Sequence, residues 1–593
     1  MCGIASMFNY RGGAVDRAAL QRAQQCMASR GPDAEGYWES ADQTVALAHR
    51  RLSIIDLSER GAQPMASEEH QLQIVFNGEI YNYQALRKTL EAKGHRFTSD
   101  SDTEVLLHLY AEHGRDLVHE LRGMYAFALY DERRKGLLLA RDPYGIKPLF
   151  YADTGASLIA ASQVKAIHAT RAADTSVDPA GHVGFFLWGH VPDPYTLYRG
   201  IKALPAGHTL WVDRDGAHEP QAFASVTEAL RQAEHTANGR PPHQALRDAL
   251  LDSVKHHLVA DVDVGLFLSA GLDSATLTAL AAEVHGQLKT VTLGFEEYRG
   301  TAEDEVPGAE RIAARYGTTH ETIWVTQNDF QNAHDALMGA MDQPTIDGTN
   351  SYFVSHAARQ AGLKVAISGL GGDELFGGYP SFQEIPRVVS ALERIPAVET
   401  IGRGMRVVAA PLVKRLTSPK YAGLLEYGSD YPGAYLLRRG LFMPWELPNV
   451  LDPDLVQAGW EKLQPQMRLK QTVDGIDNEH LRVTALESSW YMRHQLLRDT
   501  DWASMAHSLE VRTPLVDWTL MRRIAPHIAR HALTKQDMAR TPAKPLPVEL
   551  LNRPKSGFTV PVREWLLRDR PAYESARGLR GWARYVYQQF DCV

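Results

Sequence analysis

Cysteine is scarce in this 593-residue sequence, which contains only Cys2, Cys26 and Cys592. An odd number of widely spaced cysteines argues against a disulfide framework and favours a reducing compartment, so we expect a cytoplasmic protein. Long apolar runs are also missing, since no segment approaches the roughly 20 residues of a membrane span. The N-terminus lacks the basic and apolar regions of a signal peptide. The sequence therefore predicts no membrane partner.

A basic excess is absent as well. The net charge is −8 at pH 7 and the pI is about 6.3, so nucleic acid is not an expected partner. The tripeptide Gly-Lys-Ser/Thr does not occur, which excludes a Walker-type phosphate loop. The hydrophobic fraction of 44% and the charged fraction of 23% are typical of a globular protein. A chain of this length is too long for one core, so two or more domains are expected.

The segment Ser269–Ala275 has the layout of a phosphate site. It follows the apolar run Val264–Leu268 and precedes a helix-like segment, Thr276–Val284. Backbone N–H groups in such a turn, together with a helix N-terminus, favour anions. An ordinary strand-to-helix turn is an equally simple explanation of this segment alone.

Further apolar strand candidates alternate with helical segments in the same half of the chain. This alternation predicts a parallel sheet with helices on both faces. Ligands of such sheets bind beyond the carboxyl ends of the strands, where Ser269–Ala275 and the glycine-rich segment Ser368–Tyr379 would both lie. The strand candidates are 264–268, 290–295, 322–325 and 364–368.

Cys2 would carry a free α-amine next to its thiol if Met1 were removed, and that amine could take the thiol proton. Position 2 alone does not establish a nucleophile. Residues 48–56 predict a strand, and residues 74–82 predict a β-rich run broken by a turn at Asn77-Gly78. Ser101–Glu104 is typical of a helix start.

These segments resemble the glutaminase domain of class II glutamine amidotransferases, and so do Cys2–Ile4, Arg30–Asp33 and Arg141–Tyr151. The resemblance implies an N-terminal-nucleophile fold with four αββα layers. It also implies that Cys2 attacks the side-chain amide of glutamine. Asn77 and the N–H of Gly78 would form the oxyanion hole, Arg51 would bind the substrate α-carboxylate, and Glu79 and Asp102 would bind its α-ammonium side. Arg30 is interpreted as a structural or surface charge.

Ser269–Ala275 resembles the pyrophosphate loop of N-type ATP pyrophosphatases, which have a parallel-sheet, HUP-like α/β fold. Asp304-Glu305, Asp501–Pro514 and Arg553–Phe558 agree with this family. The order of the two parts resembles that of glutamine-hydrolysing asparagine synthetases over nearly the whole chain. We therefore expect a glutaminase domain over 1–215, a linker over 216–242, a synthetase domain over 243–570 and a tail over 571–593.

The resemblance implies a mechanism in which ATP and glutamine are substrates and Mg²⁺ is a cofactor. Lys555 would act at the α-phosphate of ATP, and Asp273 and Asp373 would hold Mg²⁺. Asp304 and Glu374 are further candidates, for which helix capping is the alternative. The residues expected to bind ATP are Phe267, Leu268, Ser269, Gly271, Asp273, Ser274, Ser368 and Gly369.

Three departures from the family pattern concern the loop and the acceptor: Ala270, Ala275 and Leu370. Ala270 replaces a usual Gly, so either its φ is negative or the loop is remodelled. Leu370 stands where asparagine synthetases usually carry Glu, and an aliphatic group cannot serve as acid, base or ammonium ligand. The expected reaction is amidation of a small carboxylate through an acyl-adenylate, with aspartate as the first candidate and another carboxylate as the alternative.

Three other hypotheses are open to test. Phosphoribosyl amidotransfer uses the same glutaminase but needs a different second site. Lactam-forming ligases share the scaffold but typically lose the cysteine that this chain keeps. An inactive regulatory or assembly protein would not need Cys2, Asn77, Asp273 and Lys555. The oligomeric state is not predicted by the sequence, and a homodimer is one alternative.

Overall fold

The computed structural model of the chain describes residues 2–236, 242–416, 419–551, 565 and 578–590. These residues form an N-terminal half of two packed antiparallel sheets and a C-terminal half built around one parallel sheet. The predicted combination of an αββα domain and an α/β domain is confirmed. In the described part of the chain, no helix combines the length and apolar character needed to cross a bilayer.

The strands of the N-terminal half are β1 (Gly3–Phe8), β2 (Ala34–Glu39), β3 (Val45–Arg51), β4 (Met65–Ser67), β5 (Leu72–Ile80), β6 (Gly123–Asp131), β7 (Gly136–Arg141), β8 (Phe150–Asp153), β9 (Leu158–Ala161), β10 (Lys202–Ala203), β11 (His208–Asp213), β12 (Gly216–Ala217) and β13 (Gln221–Ala222). They lie in two sheets, with the orders β10-β8-β9-β1-β3-β2 and β12-β11-β7-β6-β5-β4, and β13 pairs with β11. The helices are α1 (Arg17–Cys26), α2 (Tyr83–Ala92), α3 (Asp102–His113), α4 (Val164–Thr170), α5 (Pro179–Trp188) and α6 (Val226–His235).

Side chains alternate between the two faces of each strand, and this alternation produces the layers of the N-terminal half. In β5, Val75 packs between the two sheets, while Ile74 and Phe76 face the outer core with Leu106 of α3. The outer face of the other sheet packs against α1 and α4, as Met7 and Leu20 show. Because successive strand residues point to opposite faces, each sheet has one face toward its partner and one toward helices.

The parallel sheet of the C-terminal half contains β14 (Val264–Phe267), β15 (Lys289–Phe295), β16 (Thr319–Val325), β17 (Val365–Ile367) and β18 (Glu510–Arg512). The strand order in this sheet is β16-β15-β14-β17-β18. The order reverses between β14 and β17, and ligands bind at such switch points. The parallel sheet predicted from the first four strands is confirmed, and β18 is an addition from the segment 501–514.

Helices cover this sheet and extend into a mainly helical region toward the C-terminus. They are α7 (Pro242–His257), α8 (Leu272–Val284), α9 (Val306–Tyr316), α10 (Gln327–Ala340), α11 (Thr349–Gln360), α12 (Gly372–Leu375), α13 (Ser381–Leu392), α14 (Val398–Leu416), α15 (Leu424–Tyr427), α16 (Tyr431–Arg439), α17 (Pro453–Leu463), α18 (Pro465–Val473), α19 (Glu479–Leu486), a π-helix (Glu487–Leu497), α20 (Arg498–Met505), α21 (Trp518–His531), α22 (Lys535–Ala539), α23 (Val548–Leu551) and α24 (Arg580–Gln588).

The structure differs from the sequence prediction at two places. The segment 216–242, expected to be a linker, contains β12, β13 and the amphipathic helix α6, whose Val226 and Leu230 are buried. The turn expected at Asn77-Gly78 is absent, because β5 continues through both residues and pairs with β6 along its whole length. Tertiary pairing overrides the local turn signal of Asn-Gly there.

Candidate active sites

Cys2 directly precedes β1, whose first residue, Gly3, pairs with Arg50 of β3. Cys2 is 8% exposed, and its sulfur lies 4.0 Å from the carbonyl oxygen of Leu52. The backbone N–H of Cys2 donates to Asn77 Oδ1 over 3.0 Å. Burial raises the pKa of the Cys2 thiol, so nucleophilic attack requires a nearby base.

Asn77 and Gly78 lie side by side on β5, opposite Ala126 and Tyr125 of β6. The amide nitrogen Nδ2 of Asn77 is buried and has no hydrogen-bond partner among the described residues. A buried donor without a partner is rare in proteins, and this one lies beside the thiol because the other end of the same amide binds Cys2. A side chain at position 78 would place its Cβ 2.1 Å from the carbonyl oxygen of Met124, so only Gly fits. The arrangement suits an oxyanion hole.

Arg51, at the end of β3, is held by the loop that follows. Its guanidinium donates to the carbonyl oxygen of Ser58 over 2.9 Å and also to that of Asp56. A side chain at Gly61 would place its Cβ 2.2 Å from Arg51 Nη2. The loop therefore fixes the planar fork that carboxylate binding needs.

Asp102 is the first residue of α3, and Ser101 caps this helix through the backbone N–H of Thr103. Asp102 Oδ2 accepts a hydrogen bond from the backbone N–H of Ile80 over 2.9 Å. Burial raises the pKa of Asp102 to about 6. The helix start predicted at Ser101 is present, and it brings Asp102 to the end of the strand that carries Asn77.

Glu79 is also buried, and its partner comes from the other half of the chain. Its Oε2 lies 3.3 Å from Arg512 Nη2, and Arg512 also binds Glu510 over 2.6 Å. Burial, followed by the nearby Glu510, raises the pKa of Glu79 well above its ordinary value. The predicted substrate-binding carboxylate thus also belongs to an ionic contact between the two halves.

Arg30 makes a second ionic contact between the halves. Its side chain is 1% exposed, and its Nε donates to the carbonyl oxygen of Cys2 over 3.1 Å. Its two terminal nitrogens bind Asp501 over 2.7 and 3.1 Å. Arg30 is therefore a structural residue that connects the backbone of Cys2 to α20.

A second site opens at the carboxyl ends of β14 and β17, as a cavity of about 330 Å³. Ser274 Oγ bonds to the backbone N–H of Ser269 and to Ser269 Oγ, over 3.1 and 2.9 Å. The backbone N–H of Gly271 donates to Ser269 Oγ over 3.2 Å. Ala270 is not among the non-glycine residues with positive φ, so a side chain is tolerated there. The residues predicted to bind ATP that line the cavity are Phe267, Leu268, Ser269, Gly271, Asp273, Ser274, Ser368 and Gly369.

Asp273 and Asp373 converge on the ammonium of Lys535, a residue that no sequence motif indicates. Lys535 Nζ lies 2.6 Å from Asp273 Oδ2 and 2.6 Å from Asp373 Oδ1. Burial opposes its charge, but the two carboxylates raise the pKa of Lys535. Because carboxylate oxygens are preferred ligands of Mg²⁺ and these two meet at one cation, both residues fit the predicted metal site.

The wall of the cavity beside Leu370 carries further carboxyl groups. Glu374 accepts a hydrogen bond from the hydroxyl of Tyr379 over 2.8 Å, and burial raises its pKa to about 7. Burial, together with Asp347, raises the pKa of Asp499 to about 8. Leu370, Glu374, Asp347 and Asp499 all line the cavity, whereas Asp304 accepts from the N–H groups of Gly300 and Val306. That geometry agrees with the helix-capping alternative for Asp304.

Comparisons with known proteins agree with this division into two sites. A family model described as a glutamine amidotransferase domain matches residues 1–224, and one described as asparagine synthase matches residues 245–582. Asparagine synthetase [glutamine-hydrolyzing] 1 of Bacillus subtilis is 31% identical over 610 residues, covering 99% of this chain and 90% of the relative. Asparagine synthetase B of Escherichia coli is 32% identical over 406 residues, covering 65% of this chain and 66% of the relative.

The chain belongs to the glutamine-hydrolysing asparagine synthetase family. Enzymes of this family are carbon–nitrogen ligases with glutamine as amido donor, and the class assigned from the sequence is confirmed. The asparagine synthase domain implies that ATP is used. Amidase chry2 of Gibberella zeae is also similar, with 29% identity over 412 residues that cover 65% of this chain and 60% of that protein.

Within this family assignment, the structure shows which predicted residues come together. Cys2 and Asn77 are in direct contact, and the predicted ATP residues share one cavity. Lys555 lies outside the described residues, as does the rest of Arg553–Phe558. Lys535 and Arg512 were missed because their partners lie far away in sequence. The capping sequence Thr534–Asp537 marks a helix start, but nothing local links it to Asp273.

Proposed function

We propose that the protein activates a carboxylate with ATP as an acyl-adenylate and transfers to it the amide nitrogen of glutamine, with aspartate as the first acceptor to test. One observation carries the proposal. The same chain contains a pyrophosphate-loop cavity with two acidic residues and a buried thiol beside an amide donor that has no partner among the described residues. Buried ion pairs link the two sites. A glutaminase site alone would not require an ATP site, and an ATP site alone would not require a glutaminase site.

At the glutaminase site, the Cys2 thiolate would attack the side-chain carbonyl carbon of glutamine. A C–S bond forms, the C–N bond breaks and ammonia leaves with the proton given up by the thiol. Water then hydrolyses the thioester and glutamate departs. Asn77 Nδ2 and the N–H of Gly78 would stabilise the oxyanion, a contribution of about 2.7–4 kcal/mol per donor.

At the synthetase site, a carboxylate oxygen of the acceptor would attack the α-phosphorus of ATP. The bond to the β-phosphate breaks and pyrophosphate leaves. Ammonia then attacks the acyl carbon and AMP leaves. The loop 269–274 would cradle the pyrophosphate, and Mg²⁺ held by Asp273 and Asp373 would neutralise phosphate charge. Lys535, already at these carboxylates, and Lys555 would supply further positive charge.

The acceptor is the part of the proposal for which a second candidate has specific support. Leu370 lines the cavity where Glu is usual in the family, and an aliphatic side chain offers no ligand to the α-ammonium of aspartate. Glu374 and Asp499 have raised pKa values near neutrality, and in their protonated forms they would donate hydrogen bonds. These properties favour a carboxylate acceptor without a positive charge as the alternative to aspartate.

The test measures AMP, pyrophosphate and glutamate with Mg-ATP, glutamine and a panel of carboxylates that includes aspartate. The three products should form in equal amounts and only when an acceptor is present. ADP as the nucleotide product would exclude the mechanism. Cys2→Ala should abolish turnover with glutamine and retain synthesis with free ammonia, whereas loss of both activities would argue against two separable sites.

A further inference from the structure

Three histidines from three different segments meet on the N-terminal half, at the helices that cover the sheet of β5. His70 lies in the turn between β4 and β5, His95 in the loop after α2, and His108 in the middle of α3. One ring nitrogen of each lies within 4.8 Å of the corresponding nitrogen of the others. Imidazole nitrogens at this spacing are candidate ligands for one transition-metal ion.

The contact between His95 and His108 is unusual because their Nδ1 atoms face each other over 3.1 Å. The opposite nitrogens face carboxylates: His95 Nε2 lies 2.9 Å from Glu112 Oε1, and His108 Nε2 lies 3.8 Å from Glu104 Oε1. If each Nε2 carries the proton directed at its carboxylate, both Nδ1 atoms present lone pairs to one another. Two facing lone pairs require a cation between them, either a proton or a metal ion.

The two carboxylates are themselves held in place. Glu104 accepts hydrogen bonds from the backbone N–H groups and hydroxyls of Thr98 and Ser99, over 2.6–2.9 Å. Glu112 pairs with Lys93 over 2.7 Å. A carboxylate bonded to one ring nitrogen of a histidine, as Glu112 is to His95, is the usual outer partner of metal-bound imidazole, so this arrangement suits a metal ion between the two rings.

His70 supplies the third nitrogen. Its Nε2 is buried and has no hydrogen-bond partner among the described residues, while its ring lies 5.7 Å from those of His95 and His108, measured between centroids. A buried ring nitrogen without a partner is costly unless something occupies its lone pair. Because His70 lies in a turn, rotation of its side chain can bring this nitrogen to a shared ion.

We propose that His70, His95 and His108 bind one transition-metal ion, with Zn²⁺ as the preferred species. Tetrahedral Zn²⁺ with Zn–N bonds of about 2.0–2.1 Å places two ligand nitrogens roughly 3.3 Å apart, close to the 3.1 Å between His95 and His108. Water would complete the coordination. This site is separate from the predicted Mg²⁺ site, whose ligands are carboxylates of the other half.

The role of such an ion would be structural. It would fasten the β4–β5 turn and the α2–α3 loop to α3, the helix that begins with Asp102. The same hairpin continues into the strand that carries Asn77 and Glu79. The ion would therefore stabilise the framework of the glutaminase site without contacting its substrate.

The test uses the full-length protein, treated with EDTA, dialysed and titrated with Zn²⁺ or Co²⁺ at pH 7.5. We expect one equivalent to bind, with visible Co²⁺ absorption bands of a low-coordinate site and a rise in Tm on addition of Zn²⁺. His70→Gln should weaken binding by at least about tenfold. The matched control is His113→Gln, because His113 is exposed at the end of the same helix and its loss should leave binding unchanged.

Two results would overturn the proposal. One is the absence of stoichiometric Zn²⁺ or Co²⁺ binding to the wild-type protein, which would leave a proton between His95 and His108 as the explanation. The other is equal binding by wild type, His70→Gln and His95→Gln, which would place the metal elsewhere. Circular dichroism of each variant checks that it is folded. Because His70 and His95 lie in different loops, the test still stands if one of the two substitutions disrupts folding.

Discussion

At the scale of single residues, the two candidate sites depend on polar groups that the fold buries. Asn77 uses its Oδ1 for the backbone of Cys2 and leaves its Nδ2 without a partner among the described residues. Asp499 is a buried carboxyl with a raised pKa at the edge of the cavity. Such groups lower stability in the absence of substrate, which is typical of functional sites.

Asn77→Ala should lower the kcat of glutamine hydrolysis by about 10²–10³, because one donor to the oxyanion is lost. KM for glutamine should change much less, since the donor acts mainly in the transition state. Steady-state glutaminase assays measure both constants. Synthesis from free ammonia by the same variant is the internal control and should be unaffected, and a loss in glutaminase kcat below about tenfold would contradict the role of Asn77.

Asp499→Asn should stabilise the protein more at pH 8 than at pH 5. The folded-state pKa of about 8 lies above the roughly 3.9 of an unfolded Asp. The folded chain therefore binds this proton more tightly, and the free energy of unfolding falls as pH rises between about 4 and 8. Asn removes the charge and can still bond to Thr345 and Trp502, the present partners.

Thermal unfolding of both proteins at pH 5 and pH 8 measures this effect. Asp477→Asn is the control, because that side chain is 92% exposed and its replacement should give no pH-dependent difference. The interpretation fails if the Tm difference between Asp499→Asn and wild type is the same at the two pH values.

At the scale of elements, α6 connects the two halves through packing. Leu230 is fully buried in a core shared with Leu250 of α7 and Ile524 of α21. The helix starts at Ser225, whose side chain caps the N–H of Glu228. A flexible connection would let the two halves move apart. Because α6 packs against both halves, it holds this part of the connecting chain in one position.

Leu230→Ala should lower the free energy of unfolding by about 2–5 kcal/mol, because it removes a buried side chain and leaves a cavity. His235→Ala on the exposed face of the same helix should change it by less than about 0.5 kcal/mol. Denaturant titration compares the two. Equal effects would mean that α6 does not contribute to the core.

The sequence predicts the elements of this fold where local pattern and tertiary pairing agree. The strands of the parallel sheet and the cap at Ser101 follow from apolar runs and capping residues. The turn expected at Asn77-Gly78 is wrong because β6 pairs with both residues, and Gly78 is needed for close approach to Met124. The strand β18 has one apolar residue, Val511, between Glu510 and Arg512, so no apolar run indicates it.

In the two candidate sites, too, some residues can be predicted from the sequence and others cannot. Motif residues such as Ser269 and Asp373 can be found from the sequence because they flank strands whose carboxyl ends meet. Lys535 cannot, because it reaches Asp273 from 262 residues away through the docking of a short helix. Likewise, nothing around Glu79 indicates that Arg512 is its counter-charge.

At the scale of the whole molecule, buried charges join the two halves near Cys2. Arg30 meets Asp501, and Glu79 meets Arg512, with side chains that are at most 6% exposed in these pairs. Removing one partner of a buried pair leaves an uncompensated charge in a medium of low polarity. These contacts therefore hold the glutaminase and synthetase halves in one relative position.

Asp501→Asn should lower the free energy of unfolding by about 3–5 kcal/mol, because Arg30 keeps its charge without a counter-ion. The double variant Arg30→Met/Asp501→Asn should lose less than the sum of the losses in Arg30→Met and Asp501→Asn, by at least about 1 kcal/mol. Unfolding measurements on the four proteins complete the cycle. Additive losses would show that the pair contributes nothing as a unit.

The position of Arg30 has a consequence for how such enzymes can be recombined. One guanidinium binds the carbonyl group of Cys2 in one half and the carboxylate of Asp501 in the other. A chimaera that takes Arg30 from one parent and lacks the acidic partner from the second would bury a lone positive charge directly against the backbone of Cys2. Exchange of whole halves between relatives is therefore constrained to parents with matching charges at this joint.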